Sequence, residues 1–154
     1  MSKTSPLTPP DMLCFSLYAA MHAMQAAYRP LLEPLGLTYP QYLVMSALWG
    51  QDGISVGQIG QALHLDSNTL TPLIKRLQDA GLITRARSTA DERQVLVTLT
   101  DAGRAMAQRA TDIPACVLRA SDLTPMQADI LRDRLITLQK SLRASAKGPA
   151  PKPR

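Results

Sequence analysis

Between Ser55 and Thr100 the spacing of apolar residues changes from helical to alternating, and no other stretch so narrows what this chain can become. Ser55 and Gln58 have the spacing of a capping box, hydroxyl on one backbone N–H and amide on another, ahead of Val56, Ile59 and Leu63. A helix therefore starts at Ser55. Leu65, Asp66 and Ser67 interrupt it, and Leu70, Leu73, Ile74 and Leu77 then mark one face of a second helix. The other face is polar. Ser67, Asn68, Thr69 and Thr71 offer short groups for base edges or phosphate, and Lys75 and Arg76 offer charge for phosphate. Pro72 leaves two readings open: the helix bends there, or it begins at Thr71 with Pro72 as its first residue.

Gly81 supplies a left-handed residue after this helix, and Leu82 to Arg87 and Arg93 to Leu99 follow as extended runs. Val95, Val97 and Leu99 alternate with Gln94, Leu96 and Thr98. Ser88 to Glu92 form a polar tip. Asp91 and Arg93 lie two apart, so on an extended backbone both side chains point the same way and the carboxylate holds the guanidinium. Such an arginine suits a narrow minor groove. An amphipathic helix alone is more often plain core, and an arginine hairpin is often a solvated edge. The ordered combination carries the reading: a mainly α fold with a small β-hairpin, its winged helix-turn-helix at residues 54–99.

Charge adds little to this. The net charge is +5 and the pI about 9.6, but five cations and no acids lie from Lys140 onward, so the remainder is neutral. Local groups, Lys75 with Arg76 and the trio Arg85, Arg87 and Arg93, are what would meet phosphate. No apolar run approaches a membrane span, and MSKTSPLTPP has no secretory core, so a cytoplasmic protein is expected. There a permanent disulfide is not expected. Cys14, Cys116, His22 and His64 show no metal-ligand spacing, and no phosphate-cradling loop or nucleophile elbow stands out. Neither metal nor cofactor is expected, nor an enzyme.

Around the central unit, residues 1–10 and 145–154 read as loose arm and tail. Asp11 is placed to cap a long helix running to about Leu32, which puts Cys14 near N3, where helix N–H groups favour a thiolate. Tyr18 lies one turn on. All six aromatic residues fall between Phe15 and Trp49, which suggests one pocket: either core with hydroxyls at the rim, or phenols serving a cysteine. Tyr39 to Trp49 reads as a second helix, Thr100 and Asp101 open another, and Pro114 kinks or ends it. Thr124, Pro125 and Gln127 start the last helix, where Leu131, Leu135, Leu138 and Leu142 line one side. That stripe faces either a partner helix or the first helix of the same chain.

On these residues the chain resembles the MarR family of dimeric regulators, and within it the organic hydroperoxide sensors of the OhrR type. The resemblance covers about residues 11–143 and is most specific in LCFSLYAA, LTYPQYLVMSALW, LDSNTLTPLIKRL, RSTADERQVLVTLT and DIPACV. It implies a single domain over 11–144 with dimerisation helices at 11–35 and 100–144, and a helix continuing through Pro72. It implies a homodimer on palindromic double-stranded operator DNA. Arg93 then matches the wing arginine and Asp91 its partner. Cys14 matches the peroxide-reactive cysteine, Tyr28 and Tyr39 the phenols brought to it from the other subunit, and Cys116 the second cysteine of the two-cysteine subgroup. The expected function is a repressor released by organic hydroperoxide when Cys14 is oxidised and joins Cys116 of the other subunit. Two other readings stand beside it: a regulator released by a small phenolic or apolar ligand, and, weakest, a thiol peroxidase. Read from the residues alone, Cys116 is a small buried apolar side chain.

Overall fold

Short polar side chains decide where most of the helices begin. The computed structural model describes residues 8–148; most of the expected arm and tail, residues 1–7 and 149–154, lie outside the described residues. Ser55 and Gln58 close their box as expected, with Gln58 N–H on Ser55 Oγ at 3.1 Å and Ser55 N–H on Gln58 Oε1 at 2.8 Å, and α3 (Val56–Leu63) follows. Thr124 and Gln127 do the same for α7 (Pro125–Ala146), which runs one residue past the expected start of the tail. Thr38 and Gln41 form a further box, at the same spacing but not anticipated, and start α2 (Tyr39–Gly50). Asp66 accepts from Thr69 N–H at 2.8 Å and starts α4 (Ser67–Asp79), so the interruption at 65–67 is itself a cap. This hydrogen bond holds the Asp66 carboxyl below its usual range.

Asp11 does not act as expected. Its carboxylate accepts from Thr8 Oγ1 at 2.6 Å and Thr8 N–H at 3.2 Å and closes a short turn, Pro9–Asp11, that begins in the last residues of the expected loose arm. Helix α1 (Leu13–Leu32) therefore starts from Met12 without a side-chain cap, and Cys14 is its second residue rather than its third. Pro114 neither kinks nor ends a long helix. α5 (Asp101–Ala110) stops before it, and Pro114 falls in the first turn of a separate α6 (Ile113–Ala120), where its missing N–H is harmless.

The chain forms two compact units, one ending at Ile113 and one beginning at Pro114. The core of the first lies where α2 meets α3, α4 and α5: Val44, Met45, Leu48, Ile59, Leu70, Ile74 and Leu77 are all at most 1% exposed. Helix α4 continues through Pro72, which stands on its exposed side. Gly81, at φ 73°, turns the chain into β2 (Ile83–Arg87). β2 pairs antiparallel with β3 (Val95–Leu99), from Ile83 opposite Leu99 to Arg87 opposite Val95. The expected hairpin gains a third strand, β1 (Ile54–Ser55), on the far side of β3. Two residues leave no period to read.

Three sets of contacts hold α5 against the wing and α2. Thr100 Oγ1 caps α5 by accepting from Gly103 N–H and donates to Gly81 O at 2.6 Å. Trp49 Nε1–H donates to Gly103 O at 2.9 Å. Asp52 accepts from Leu99 N–H at 2.8 Å, Gly53 N–H at 2.9 Å and Arg104 Nη2 at 2.9 Å. Desolvation raises the Asp52 carboxyl, but these donors together outweigh it and hold the group below its usual range. The second unit carries the rest of α6 and α7. On α7, Met126, Ile130, Leu131, Leu135, Ile136 and Leu142 are exposed.

A methyl group at Gly103 would run into the Leu82 carbonyl oxygen. Gly103→Ala should cost about 1–3 kcal/mol in urea unfolding, and an unchanged midpoint would show that the wing and α5 are not locked there. Because the folded Asp52 carboxyl is depressed, its contribution is full above the unfolded value, about pH 4, and is lost as pH falls through the folded one. Asp52→Asn should therefore unfold at lower urea than the parent at pH 7, with the gap closing below about pH 4. A gap constant with pH would remove the carboxylate's charge as the cause.

Candidate nucleic-acid interface and redox centre

One face of α4 is fixed in the core, so the other has a defined direction. Ser67, Asn68, Thr69, Thr71, Lys75 and Arg76 are all exposed along it. Arg85 and Arg87 are exposed on β2, at alternate positions and hence on one face of the strand. Arg85 Nε donates to Gln78 Oε1 at 2.6 Å, which ties the strand's arginine to the end of α4. Local spacing places Arg85 on the run after α4 but gives no contact with Gln78, since nothing local connects a helix end with the strand that folds back on it.

Asp91 and Arg93 meet, although not on an extended backbone. Residues 92–93 form a turn, and Asp91 Oδ1 accepts from both Arg93 N–H at 3.1 Å and Arg93 Nε at 3.2 Å. Ser88 Oγ accepts from Ala90 and Asp91 N–H, and Ser88 N–H and Gln94 O close the base of the tip. The Arg93 side chain is 92% exposed while its root is held, so the charge stands out from the wing in a restricted set of directions.

The aromatic residues form two groups rather than one pocket. Near Cys14, which is exposed, Tyr18 stacks edge-on against His22 with centroids 4.3 Å apart and lies 6.4 Å from Phe15. Met12 at the start of the helix and Leu13, Met21 and Met24 on it are exposed. In the second group Tyr28 lies 4.8 Å from Tyr39 and 5.7 Å from Tyr42, and Tyr42 6.1 Å from Trp49. Burial raises the phenols of Tyr28 and Tyr39 above their ordinary value, so both are protonated hydrogen-bond donors at neutral pH. Fourteen residues of continuous helix separate Tyr28 from Cys14 in one chain, an axial distance of about 21 Å. Beside this group a cleft of about 500 Å³ is lined by Gln25, Arg29, Leu32, Leu37, Thr38 and Tyr39. Cys116, half-buried on α6, accepts a hydrogen bond from Arg119 Nη2 at 3.1 Å.

A short helix leading through a tight turn to a second helix with an open polar face, followed by a three-stranded wing, defines a winged-helix DNA-binding protein. The family described as transcriptional regulator SarA/Rot matches residues 26–110. The organic hydroperoxide resistance transcriptional regulator of Bacillus subtilis (strain 168) is 44% identical over 132 residues, 86% of this chain and 90% of that protein. Among solved structures, reduced AbfR bound to DNA has a TM-score of 0.72 at 34% identity, over 86% of this chain and 90% of that one. Disulfide-formed AbfR has 0.59 at 38%, over 82% and 88%; AbfR is from Staphylococcus epidermidis. The chain belongs to the MarR family of winged-helix transcriptional regulators, in the group of the organic hydroperoxide regulators. Among the described residues no helix is long and apolar enough to cross a membrane.

Arg93→Ala should weaken operator binding by about 1–3 kcal/mol if the guanidinium reaches a base. Asp91→Ala, which frees the arginine without removing its charge, should cost less. Half-sites should lie about one helical turn, roughly 10 to 10.5 base pairs, apart. Fluorescence anisotropy at fixed salt measures all three, and equal affinity of Arg93→Ala and parent would take the wing out of recognition.

Proposed function

We propose that this regulator is a homodimeric repressor that binds palindromic operator DNA through α4 and the wing and is released by organic hydroperoxides. Cys14 is the sensor, and Cys116 of the partner subunit closes a disulfide with it. The observation that carries the reading is the separation within one chain: phenols about 21 Å along the helix from Cys14 can serve that sulfur only from a second copy. The exposed apolar faces of α1 and α7 supply the kind of surface a second copy covers. Ser67, Asn68, Thr69 and Thr71 are assigned to base edges and phosphate, and Lys75, Arg76, Arg85 and Arg87 to phosphate.

The chemistry follows from the groups available. Cys14 sulfur attacks the outer peroxide oxygen, the O–O bond breaks, and the alkoxide takes a proton and leaves as an alcohol. Tyr28 and Tyr39 of the partner subunit, being protonated, donate to the sulfur and the departing oxygen, with Tyr18 at the rim. The sulfenic acid on Cys14 then condenses with Cys116 of the partner subunit and releases water. The two Cα atoms must come within about 7 Å, and that movement alters the spacing of the reading heads. A relative with both a reduced DNA-bound and a disulfide-formed structure, AbfR, supports this sequence of states. The cleft beside Tyr39 favours a second reading, release by a small phenolic or apolar ligand with no redox role for the cysteines.

Operator binding measured before and after one equivalent of an organic hydroperoxide separates the two. The parent should be released, Cys14→Ser should bind and stay bound, and Tyr28→Phe and Tyr39→Phe should respond more slowly. On a non-reducing gel the parent should run as a covalent dimer, and neither Cys14→Ser nor Cys116→Ser should. A parent that holds its operator after oxidation would assign the function to the ligand reading.

A further inference from the structure

The geometry points to Arg119 as the residue that prepares Cys116 for attack, a positioning role that rests on the disulfide reading above. Helix α6 sets the two side chains one turn apart on the same face. The Arg119 guanidinium bends back along the helix, and its Nη2–H donates to Cys116 Sγ at 3.1 Å. A guanidinium has no acceptor and does not give up its charge, so the sulfur must be the accepting partner. No ion pair among the described residues involves Arg119. Its charge is therefore directed at the sulfur instead of at a carboxylate. Cys116 is half-buried, so solvent replaces this donor only in part.

That arrangement serves one step. Cys116 Sγ attacks the sulfenic sulfur of Cys14 in the partner subunit, the S–S bond forms and the S–O bond breaks. The leaving hydroxide combines with the proton given up by the Cys116 thiol, and water is the only other product. The oxidant, an organic hydroperoxide, has already been consumed in making the sulfenic acid. Arg119 stabilises the negative charge that develops on Sγ during the attack and holds the sulfur in one orientation.

Full-length reduced protein carrying Cys14→Ser has Cys116 as its one thiol, and its alkylation by neutral iodoacetamide and by anionic iodoacetate reads the local charge without any peroxide. Arg119→Gln should slow both reactions by about twofold to fivefold, the scale of an exposed charge contact, and should slow the anionic reagent more. Arg119→Lys should restore the preference for the anion, which a purely structural role would not. In protein with Cys14 present, Arg119→Gln should also slow the covalent dimer seen after hydroperoxide while Cys14 oxidises at the parent rate. Equal alkylation rates and an equal anion preference in parent and Arg119→Gln would overturn the assignment. If alkylation depends on Arg119 but the parent yields no covalent dimer, the disulfide reading fails, and the attack on Cys14 assigned to Cys116 fails with it.

Discussion

The polar face of α4 has a direction only because its apolar face has none to choose. Leu70, Ile74 and Leu77 are sealed against α2, α3 and β2, with Leu73 nearly so. Each such side chain contributes about 1.5–3 kcal/mol when buried, so the four together offset the roughly 3 kcal/mol that a proline costs inside an ordinary helix. Pro72 sits on the side away from that contact, and its ring meets solvent rather than the core. Rotating the helix to hide Pro72 would expose the leucines. Packing thus determines which residues a groove would meet, and those polar residues themselves contribute almost nothing to that decision.

The wing is held by polar contacts where the core is held by apolar ones. Asp52 joins β3, its own turn and Arg104 on α5, while Thr100 joins the end of α4 to the start of α5. Trp49 and Gly103 close the same junction from α2. Displacing the wing from α4 would break several of these at once, some of them with half-buried groups that solvent reaches poorly. Arg85, held by Gln78, and Arg93, held by Asp91, then stand on a rigid base. A held guanidinium loses less side-chain entropy on meeting DNA than a free one, which in the proposed interface is the use of a carboxylate beside the wing arginine.

In the proposed switch the single chain is an incomplete sensor. Cys14 lies at one end of α1 among exposed methionine and aromatic side chains, and the paired phenols lie at the other end, beyond reach of their own cysteine. A reaction divided between two copies is coupled by construction to how the copies are arranged. Closing a disulfide across such an interface moves rigid helices, and the spacing of two reading heads is what a palindrome measures.

Much of this was legible in the sequence because the signals are local. The capping boxes at Ser55 and Thr124, the stripe from Leu70 to Leu77 and the glycine at 81 each depend on residues a few positions apart, and each stands where that spacing puts it. Asp91 and Arg93 also meet, but through a turn and not the extended backbone expected of them. The family was legible for the same reason, since its motifs are continuous. What the tertiary structure alone decided involves residues far apart or too few to show a period. A two-residue β1 becomes a strand only because β3 is beside it. Asp11 had a closer partner in Thr8 than the helix it was expected to cap. The aromatic residues, crowded in sequence, divide because a straight helix carries Tyr18 and Tyr28 apart. Spacing along the chain specifies which face a side chain takes, but which neighbour it meets there depends on where the whole backbone returns.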